Sequence, residues 1–392
     1  MTTIFSRAVG NFIRSTAHST SRHCLHLSRP YSSSPTSLDP KMVQNKAFIY
    51  KAIPNGWPVP GKDLTVEDIG FDENAPPPKG GFTTKNLYAA YDPSQRGRMR
   101  DPSIPSYSAA MTTGQPVISV SVIGKVLKSD NPKIQPGAIV MLQGSGTESY
   151  STKDESAVAT TQIIEPKEGV PLTAYLGLLG MTGMTAYGSL HEIGQPKKGD
   201  VILISAAAGA VGQMVGQIAV REGLHVIGSV GDDRKLDFIL NDLKFHAGFN
   251  YKKESMAEAV KRLAPQGLDI FYDNVGGELL DVALANMKEF GRIVACGSIS
   301  TYNNAKDTTP YGVKNYGAMV RKRLRWQGFL VFDPNIVRWR AERDDKITQW
   351  IRDGSFKSVD FVTEGMDHAI EGFLGMLRGE NLGKSILKIA DE

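Results

Sequence analysis

The chain has 392 residues, of which 41% are hydrophobic and 22% charged, which is typical of a folded protein with room for two domains. Its formal net charge of +4 lies in residues 1–41, so the remaining body balances to zero and lacks the basic footprint of a nucleic-acid-binding protein. No apolar run reaches the roughly 18 to 20 residues that a membrane-spanning helix needs, so we expect no membrane partner.

Residues 1–41 have the pattern of a targeting segment. On a helical wheel, one half carries the apolar side chains Ile4, Phe5, Ala8, Val9, Phe12 and Ile13. No acidic residue precedes Asp39, and arginine and serine are abundant. This composition predicts a disordered mitochondrial transit peptide, with a matrix location and cleavage after Tyr31. A plain basic tail is the alternative, and initiation at Met42 would give a cytoplasmic protein.

The first part of the body is rich in glycine and proline and carries short apolar runs between turn signals. Residues 117–130 and 137–144 show this alternation, which predicts a β-rich, partly closed barrel. The chain ends in another strand-like run, residues 383–390, which we expect to return to the same domain. The predicted first domain therefore joins residues 42–166 and 345–392.

Residues 167–344 change to short apolar runs that alternate with helical segments. These runs occupy residues 200–206, 224–230, 268–275, 291–297 and 324–332. Strand and helix in alternation at this spacing predict a parallel sheet with helices on both faces, the doubly wound Rossmann arrangement. The fold class is therefore α/β, with a β-rich barrel beside a Rossmann domain.

A turn with almost no side chains follows the first of these runs. It matches the dinucleotide fingerprint G-x-G-x-x-G, with Ala207 in the first glycine place and Gly209 and Gly212 in the others. Gly209 would let the backbone approach a pyrophosphate, and Gly212 would let the helix pack closely on the sheet. The helix N-terminus would present free N–H groups to the phosphates. A close helix–strand contact without a ligand is the alternative.

The end of the second run indicates which dinucleotide binds. An NAD site usually places an acidic residue there, but residues 228–230 read Gly-Ser-Val, and Asp232 and Asp233 come late. Arg234 and Lys235 follow, and a cation without a carboxylate suits the 2′-phosphate of NADP(H). These two side chains could also be ordinary solvated helix residues.

Several longer stretches carry a family resemblance that covers about residues 45–390. They are ISAAAGAVGQMVGQIA, FNYK, FYDNVGGELLD, FGRIVACGSISTYN, MLRGENLGKSILKI and LYAAYDPSQRGRMRDPSIPSYSAAMTTGQPV. In order and spacing they resemble the zinc-independent medium-chain reductases of the prostaglandin reductase and alkenal double-bond reductase family. The resemblance implies a GroES-like substrate barrel, NADPH, a small enal or enone substrate, and a homodimer.

Matching this chain to the family motifs assigns further cofactor contacts. The resemblance places the pyrophosphate at Gly209, Ala210, Val211 and Gly212, and the 2′-phosphate at Lys235. The other implied cofactor contacts are Tyr251, Asn274, Cys296, Gly297, Ser298, Ile299, Tyr302, Phe329, Leu330, Val331 and Asn381. Each has a plainer interpretation as a turn-former, a loop residue or a core residue, and Cys296 in an apolar strand is expected to be a small buried hydrophobe.

The implied reaction is hydride transfer to the β-carbon of an α,β-unsaturated aldehyde or ketone. The two cysteines, Cys24 and Cys296, are too few for a Cys-rich zinc site, so we expect no metal. Tyr302 is the expected catalytic residue, because a neutral phenol can donate a hydrogen bond to the developing enolate. The family tyrosine of Asp-Pro-Tyr-Met-Arg is replaced by Ser94, and Tyr107 is a candidate to supply the missing ring.

Three other functions fit parts of this pattern. A mitochondrial enoyl-thioester reductase would suit the predicted transit peptide, but its Asn-x-x-Asp and Gly-x-Tyr motifs are missing from residues 88–101. An NADPH:quinone reductase would share the fold. A cofactor-binding protein without turnover would be expected to lose the Ser-Thr-Tyr-Asn and Glu-Asn-Leu-Gly-Lys motifs, and both are intact here.

Overall fold

Two large β-sheets organise residues 42–392, the part of the chain that the structure, a computed structural model, describes. The predicted transit peptide and its cleavage site lie outside the described residues. None of the helices in residues 42–392 combines the length and apolar character needed to cross a bilayer.

The first domain is built from antiparallel strands. Its strands are β1 (Met42–Val43), β2 (Lys46–Tyr50), β3 (Leu64–Asp68), β4 (Phe71–Asp72), β5 (Phe82–Ala90), β6 (Gln115–Pro116), β7 (Ile118–Ser129), β8 (Ile139–Gly146), β9 (Tyr150–Lys153) and β10 (Thr161–Ile163). The long strands β5, β7 and β8 pair antiparallel with one another and enclose an apolar core. A short helix, α1 (Ser94–Arg98), follows β5 and later proves to border the site.

The second domain is a parallel sheet with helices on both faces, which confirms the predicted α/β fold class. Its strands are β11 (Val201–Ile204), β12 (His225–Val230), β13 (Ala247–Asn250), β14 (Leu268–Asp273), β15 (Met287–Ala295) and β16 (Arg325–Gly328). They run in the order β13-β12-β11-β14-β15-β16. The strand order reverses at β11, so the crevice for a ligand lies at the carboxyl end of this strand.

The sequence missed one strand of this sheet. β13 has four residues, two of which are alanine and glycine, so it does not appear as an apolar run. The helices are α2 (Met181–Ser189), α3 (Ala210–Arg221), α4 (Asp233–Asp237), α5 (Met256–Leu263), α6 (Gly277–Asn286), α7 (Ala318–Arg321), α8 (Pro334–Val337), α9 (Arg340–Arg352) and α10 (Ala369–Arg378).

The last part of the chain returns to the first sheet through β17 (Asp360–Glu364) and β18 (Lys384–Lys388). β18 pairs parallel with β17 and antiparallel with β5. Before this return, Ile347 and Phe356 are buried in the core of the parallel-sheet domain. The chain therefore passes from the second domain back to the first near residue 359, whereas the predicted boundary was residue 345. The reason is that apolar side chains between these two positions pack on the second sheet.

The point where the chain first passes from the first domain to the second also lies later than predicted. Val170 and Tyr175 are buried against Leu87 and Ile123 of the first sheet. The chain therefore remains packed on the first domain for about ten residues beyond the expected boundary at residue 167.

Candidate functional site

The turn between β11 and α3 has the geometry of a phosphate-binding turn, with one difference from the sequence pattern. The left-handed residue of the turn is Ala206, at φ 49°, whereas the fingerprint placed the turn-forming position at Ala207. Gly209 then lies in extended conformation as the N-cap of α3, without any side-chain cap. The tight turn is therefore made one residue earlier, and an alanine adopts a conformation that usually favours glycine.

The two glycines of this turn have separate roles. A Cβ on Gly212 would lie 2.4 Å from the Ala206 carbonyl oxygen and 2.7 Å from the Ala207 Cα, so only glycine permits this helix–strand packing. A Cβ on Gly209 would meet a single atom, the Ala206 oxygen at 3.1 Å, which leaves the other side of Gly209 open. The N–H groups of Ala210, Val211 and Gly212 precede the first helical hydrogen bond, from Gln213 to Gly209, and are available to an anion.

The carboxyl-terminal segment closes the same turn from the opposite side. Gly383 donates its N–H to the Ala208 oxygen at 2.9 Å and forms an isolated parallel bridge with Gly209. Asn381, a predicted cofactor contact, donates its amide to the Gly383 oxygen at 2.7 Å. The neighbouring Lys384 donates to a carboxylate oxygen of Asp92 at 2.8 Å in a buried ion pair. The turn is therefore shared by both domains.

Lys235 lies close to this segment and is not a solvated surface residue. Its side chain is 10% exposed, and its ammonium group donates to the carbonyl of Gly379 and lies 3.7 Å from a carboxylate oxygen of Asp232. Burial lowers the pKa of the ammonium group, and the charge of Asp232 opposes that effect. Arg234 is exposed. Of the two cations noted in the sequence, Lys235 is therefore the one built into the site.

Tyr251 and Asn274 lie directly after β13 and β14, at the carboxyl ends of two strands of the parallel sheet. Tyr251 is 41% exposed, and its hydroxyl would be 2.8 Å from a Cβ on Gly231, directly after β12. Asn274 follows β14 and donates its side-chain amide to the Ser205 carbonyl at 2.7 Å, which fixes the side chain beside the turn. Ser205 was not singled out from the sequence; its hydroxyl also accepts from the Asn274 N–H at 2.7 Å.

The residues after β15 form the next edge of the crevice. Cys296 donates its N–H to the Asp273 oxygen at 2.9 Å, and Gly297 does so at 3.0 Å. Burial raises the pKa of the Cys296 thiol to about 12, so the group is protonated and is a poor nucleophile. The Cys296 side chain is partly buried and packs against the core of the parallel-sheet domain. Ser298 and Ile299 continue into a single 3₁₀ turn, Ile299–Thr301.

Tyr302 folds back over this edge. Its hydroxyl accepts a hydrogen bond from the Ser298 N–H at 3.4 Å and would lie 3.3 Å from a Cβ on Gly297. Burial raises the pKa of the phenol, and the nearby Tyr107 and Cys296 add to that shift. The phenol is therefore neutral at physiological pH, and its proton is free to be donated.

The segment after β16 brings the two domains together. Phe329 and Val331 pack against the core of the parallel-sheet domain, whereas Leu330 is 40% exposed. Val331 also lines a cleft with Met181 of α2 and with Gln143 of the first domain. Of the predicted contacts at residues 329–331, Val331 therefore lies at a small cleft between the two domains.

A residue that the sequence did not single out connects α1 to Tyr302. The Arg96 side chain is buried and donates to the Asn303 side-chain oxygen at 2.9 Å and to the Gly56 carbonyl at 2.6 Å. The sequence signal that could have pointed to Arg96 was its position after Asp92, in the first-domain motif Asp-Pro-Ser-Gln-Arg. Among residues 42–392, no group of three or more His, Cys, Asp or Glu side chains is placed to hold a metal ion.

Comparisons with known proteins agree with this geometry. A family model described as zinc-binding dehydrogenase matches residues 210–343, and one described as the N-terminal domain of oxidoreductase matches residues 46–161. The NADP-dependent oxidoreductase RED1 of Cochliobolus heterostrophus is 48% identical over 351 residues, covering 89% of this chain and 99% of the relative. The NADP(+)-dependent 2-alkenal reductase of Nicotiana tabacum is 38% identical over 354 residues, covering 89% and 99%.

A solved structure extends the comparison to a cofactor complex. CurA of Vibrio vulnificus in complex with NADPH superimposes with a TM-score of 0.79 at 29% identity, covering 88% of this chain and all of that one. The predicted cofactor, NADP(H), is thereby confirmed together with the fold. The assignment of the glycine turn, Lys235 and Tyr302 to this cofactor stays a prediction.

Proposed function

The chain belongs to the medium-chain dehydrogenase/reductases, in the family of NADP-dependent alkenal double-bond reductases, and on that premise we propose that it reduces α,β-unsaturated aldehydes and ketones without zinc. It is an NADP(H)-dependent oxidoreductase that acts on C=C bonds. The observation that carries the proposed substrate and mechanism is the neutral, half-buried phenol of Tyr302, held against Gly297 and Ser298 after the carboxyl end of β15.

We assign the residues of the crevice to successive parts of the cofactor. Gly209 and Gly212 with the α3 N-terminus would hold the pyrophosphate, and Lys235 would hold the 2′-phosphate. Tyr251, Asn274 and Asn381 would border its adenosine and ribose parts, and residues 296–302 and 329–331 its nicotinamide. When bound, NADPH supplies the hydride that adds to the β-carbon of the substrate.

The protein's own contribution is to stabilise the negative charge that develops on the carbonyl oxygen. Tyr302 would donate a hydrogen bond to that oxygen, since its hydroxyl already accepts from Ser298 and keeps its proton for donation. The C=C bond gains a hydride at the β-carbon and a proton from water at the α-carbon. No strong acid is required for the second step, because water can protonate the enolate.

The test is NADPH consumption by the purified protein after dialysis against a chelator, with 2-alkenals, enones, quinones and enoyl-thioesters compared. We expect turnover of the alkenals and enones, undiminished by the chelator. Turnover of quinones or enoyl-thioesters alone would overturn the proposed substrate class, and loss of activity that zinc restores would overturn the metal-independent mechanism.

We also propose that the protein is a homodimer joined at the β16 edge of the parallel sheet. β16 pairs with β15 on one side, and its Trp326 is 37% exposed. Val320 on the preceding helix α7 is 76% exposed, and an unpaired edge with apolar neighbours favours strand pairing. Light scattering should give twice the chain mass, and Trp326→Lys should give a monomer; a monomeric wild-type protein would refute the proposal.

We propose that residues 1–41 direct the protein to the mitochondrial matrix, with cleavage after Tyr31. The support is the amphipathic, Arg-rich and acid-poor composition of this segment. A fusion of residues 1–41 to a fluorescent protein should enter mitochondria, and a chain that starts at Met42 should remain in the cytoplasm. N-terminal sequencing of the imported protein checks the cleavage site, and a cytoplasmic fusion would contradict import.

A further inference from the structure

A loop of the first domain, residues 101–110, exposes apolar side chains although arginines hold it in place. Tyr107 is 68% exposed and Ile104 is 53% exposed. Arg98 donates to the Ala109 carbonyl at 3.1 Å, and Arg100 donates to the carbonyls of Ile104, at 3.1 Å, and Ser108. We call residues 101–110 the tyrosine loop. Its backbone is fastened to α1 and the residues directly after it, so the backbone that carries Tyr107 is held in place.

The tyrosine loop lies beside the catalytic tyrosine. Burial chiefly raises the pKa of Tyr302, and the Tyr107 phenol is near enough to add to that shift. Hydrogen bonds from Ser103 chiefly lower the pKa of Asp101, and the charge of the nearby Lys306 adds to that effect. The buried Arg96 of α1 donates to Asn303, the residue after Tyr302. α1 therefore joins the tyrosine loop and the segment that carries Tyr302 into one border of the site.

A second exposed apolar segment completes this border. Trp57 is 46% exposed and Ile53 is 41% exposed, and the Gly56 carbonyl between them accepts from Arg96 at 2.6 Å. Asn55 accepts from the Lys306 N–H at 3.0 Å, so this segment also contacts the chain after Tyr302. Both exposed apolar segments are thus tied to the chain around Tyr302, and exposed apolar side chains that lie close together are typical of a ligand-binding surface.

We propose that Tyr107 is a specificity-determining residue whose ring packs against the apolar tail of the substrate, favouring alkenals and enones with long substituents. The proposal rests on the proposed function. The family motif has a tyrosine where this chain has Ser94, and the tyrosine loop places another ring at the same border. The contact is apolar, so it acts on the tail and leaves the reacting carbons unchanged.

The test is a chain-length series of 2-alkenals, from four to ten carbons, with wild type, Tyr107→Ala and Tyr107→Phe. We expect wild-type kcat/KM to rise by about fourfold per methylene until the tail leaves the groove. Tyr107→Ala should lower kcat/KM for the ten-carbon substrate about 10- to 100-fold, through KM, and leave the four-carbon substrate within about twofold. Tyr107→Phe should retain the wild-type series.

Two further variants separate the contact from general damage. Arg100→Gln releases the tyrosine loop with its ring intact, and we expect it to reproduce the chain-length effect of Tyr107→Ala. Leu127→Ala removes a comparable apolar side chain, which is 38% exposed. Ile118 begins β7 and Leu127 lies near its other end, about 30 Å from Ile118 by strand rise. We expect the wild-type series from this control.

The outcomes distinguish this proposal from the proposed function. An equal loss for short and long alkenals in Tyr107→Ala, or no loss for either, overturns the role of Tyr107. If the wild type reduces no alkenal or enone, the proposed function fails, and calorimetry of saturated 2-alkanones on the NADP⁺-bound protein still tests the groove. An affinity that rises with alkanone length in the wild type but not in Tyr107→Ala supports the role of Tyr107. The same dependence of affinity on alkanone length in both proteins refutes that role.

Discussion

Adding one methyl group to each of two glycines should separate folding from cofactor binding. In Gly212→Ala the new Cβ would overlap backbone atoms at 2.4 and 2.7 Å, and backbone cannot move aside as the end of a flexible side chain can. The N-terminus of α3 must then shift away from β11 by several tenths of an ångström. Overpacking of this kind costs about 1–3 kcal/mol, which for a domain of this size corresponds to a melting temperature lower by roughly 3–10 °C.

The matched variant, Gly209→Ala, meets one oxygen at 3.1 Å, and its φ of −77° suits alanine. Its melting temperature should stay within about 2 °C of the wild type, because less than 1 kcal/mol of strain is expected. The methyl group would instead stand where the backbone meets the phosphates. Losing one or two charge-assisted hydrogen bonds should weaken NADPH binding about 10- to 100-fold.

Thermal unfolding without cofactor and calorimetric titration with NADPH measure the two effects independently. Gly212→Ala should be impaired in both measurements and Gly209→Ala in the titration alone. Wild-type stability in Gly212→Ala would refute the close packing of α3 on β11. Wild-type affinity in Gly209→Ala would show that the phosphates bind elsewhere.

Three further predictions concern single side chains of the site. Lys235→Ala should raise KM for NADPH about 10- to 100-fold and leave KM for NADH unchanged in steady-state kinetics. Because burial lowers the pKa of Lys235, the wild-type KM for NADPH should begin to rise at a pH below the ordinary lysine value near 10.5. A KM for NADPH that does not change with pH would contradict the assignment of Lys235 to the 2′-phosphate. Tyr302→Phe should lower kcat about 10- to 100-fold, because one hydrogen bond to the oxyanion is lost, and a loss beyond about 10⁴-fold would show that the phenol is also the proton donor. In a Cys24→Ser background, Cys296 should react with iodoacetamide far more slowly than free cysteine at pH 8, as a pKa of about 12 requires, and rapid reaction would refute its protonated state.

The parts of the fold that the sequence predicted are those with a local signal. Each of the five apolar runs in residues 200–332 contributes a strand to the parallel sheet, because buried parallel strands need unbroken apolar stretches. Gly209 and Gly212 were recognisable for a similar reason, since close backbone approach requires a residue without a Cβ. β13 was missed because alanine and glycine supply half of its residues.

The parts that the sequence could not predict depend on residues far apart in the chain. Lys384 and Asp92 are 292 positions apart, and nothing in either motif indicates that the two charges are buried together. Arginine is usually exposed, and nothing in the sequence around Arg96 indicates that carbonyl and amide oxygens from distant segments bind its buried side chain. The left-handed Ala206 was equally unpredictable, because propensity assigns that conformation to glycine.

The bridge between Gly209 and Gly383 has a consequence for biosynthesis. Residues 201–221 can form their strand and helix early in translation, but the backbone that completes the turn arrives 174 residues after Gly209. A nascent chain therefore cannot build the finished nucleotide pocket on the ribosome until its last dozen residues have emerged. Truncation before Gly383 would remove this bridge together with β18, so we expect a chain cut there to lose NADPH binding.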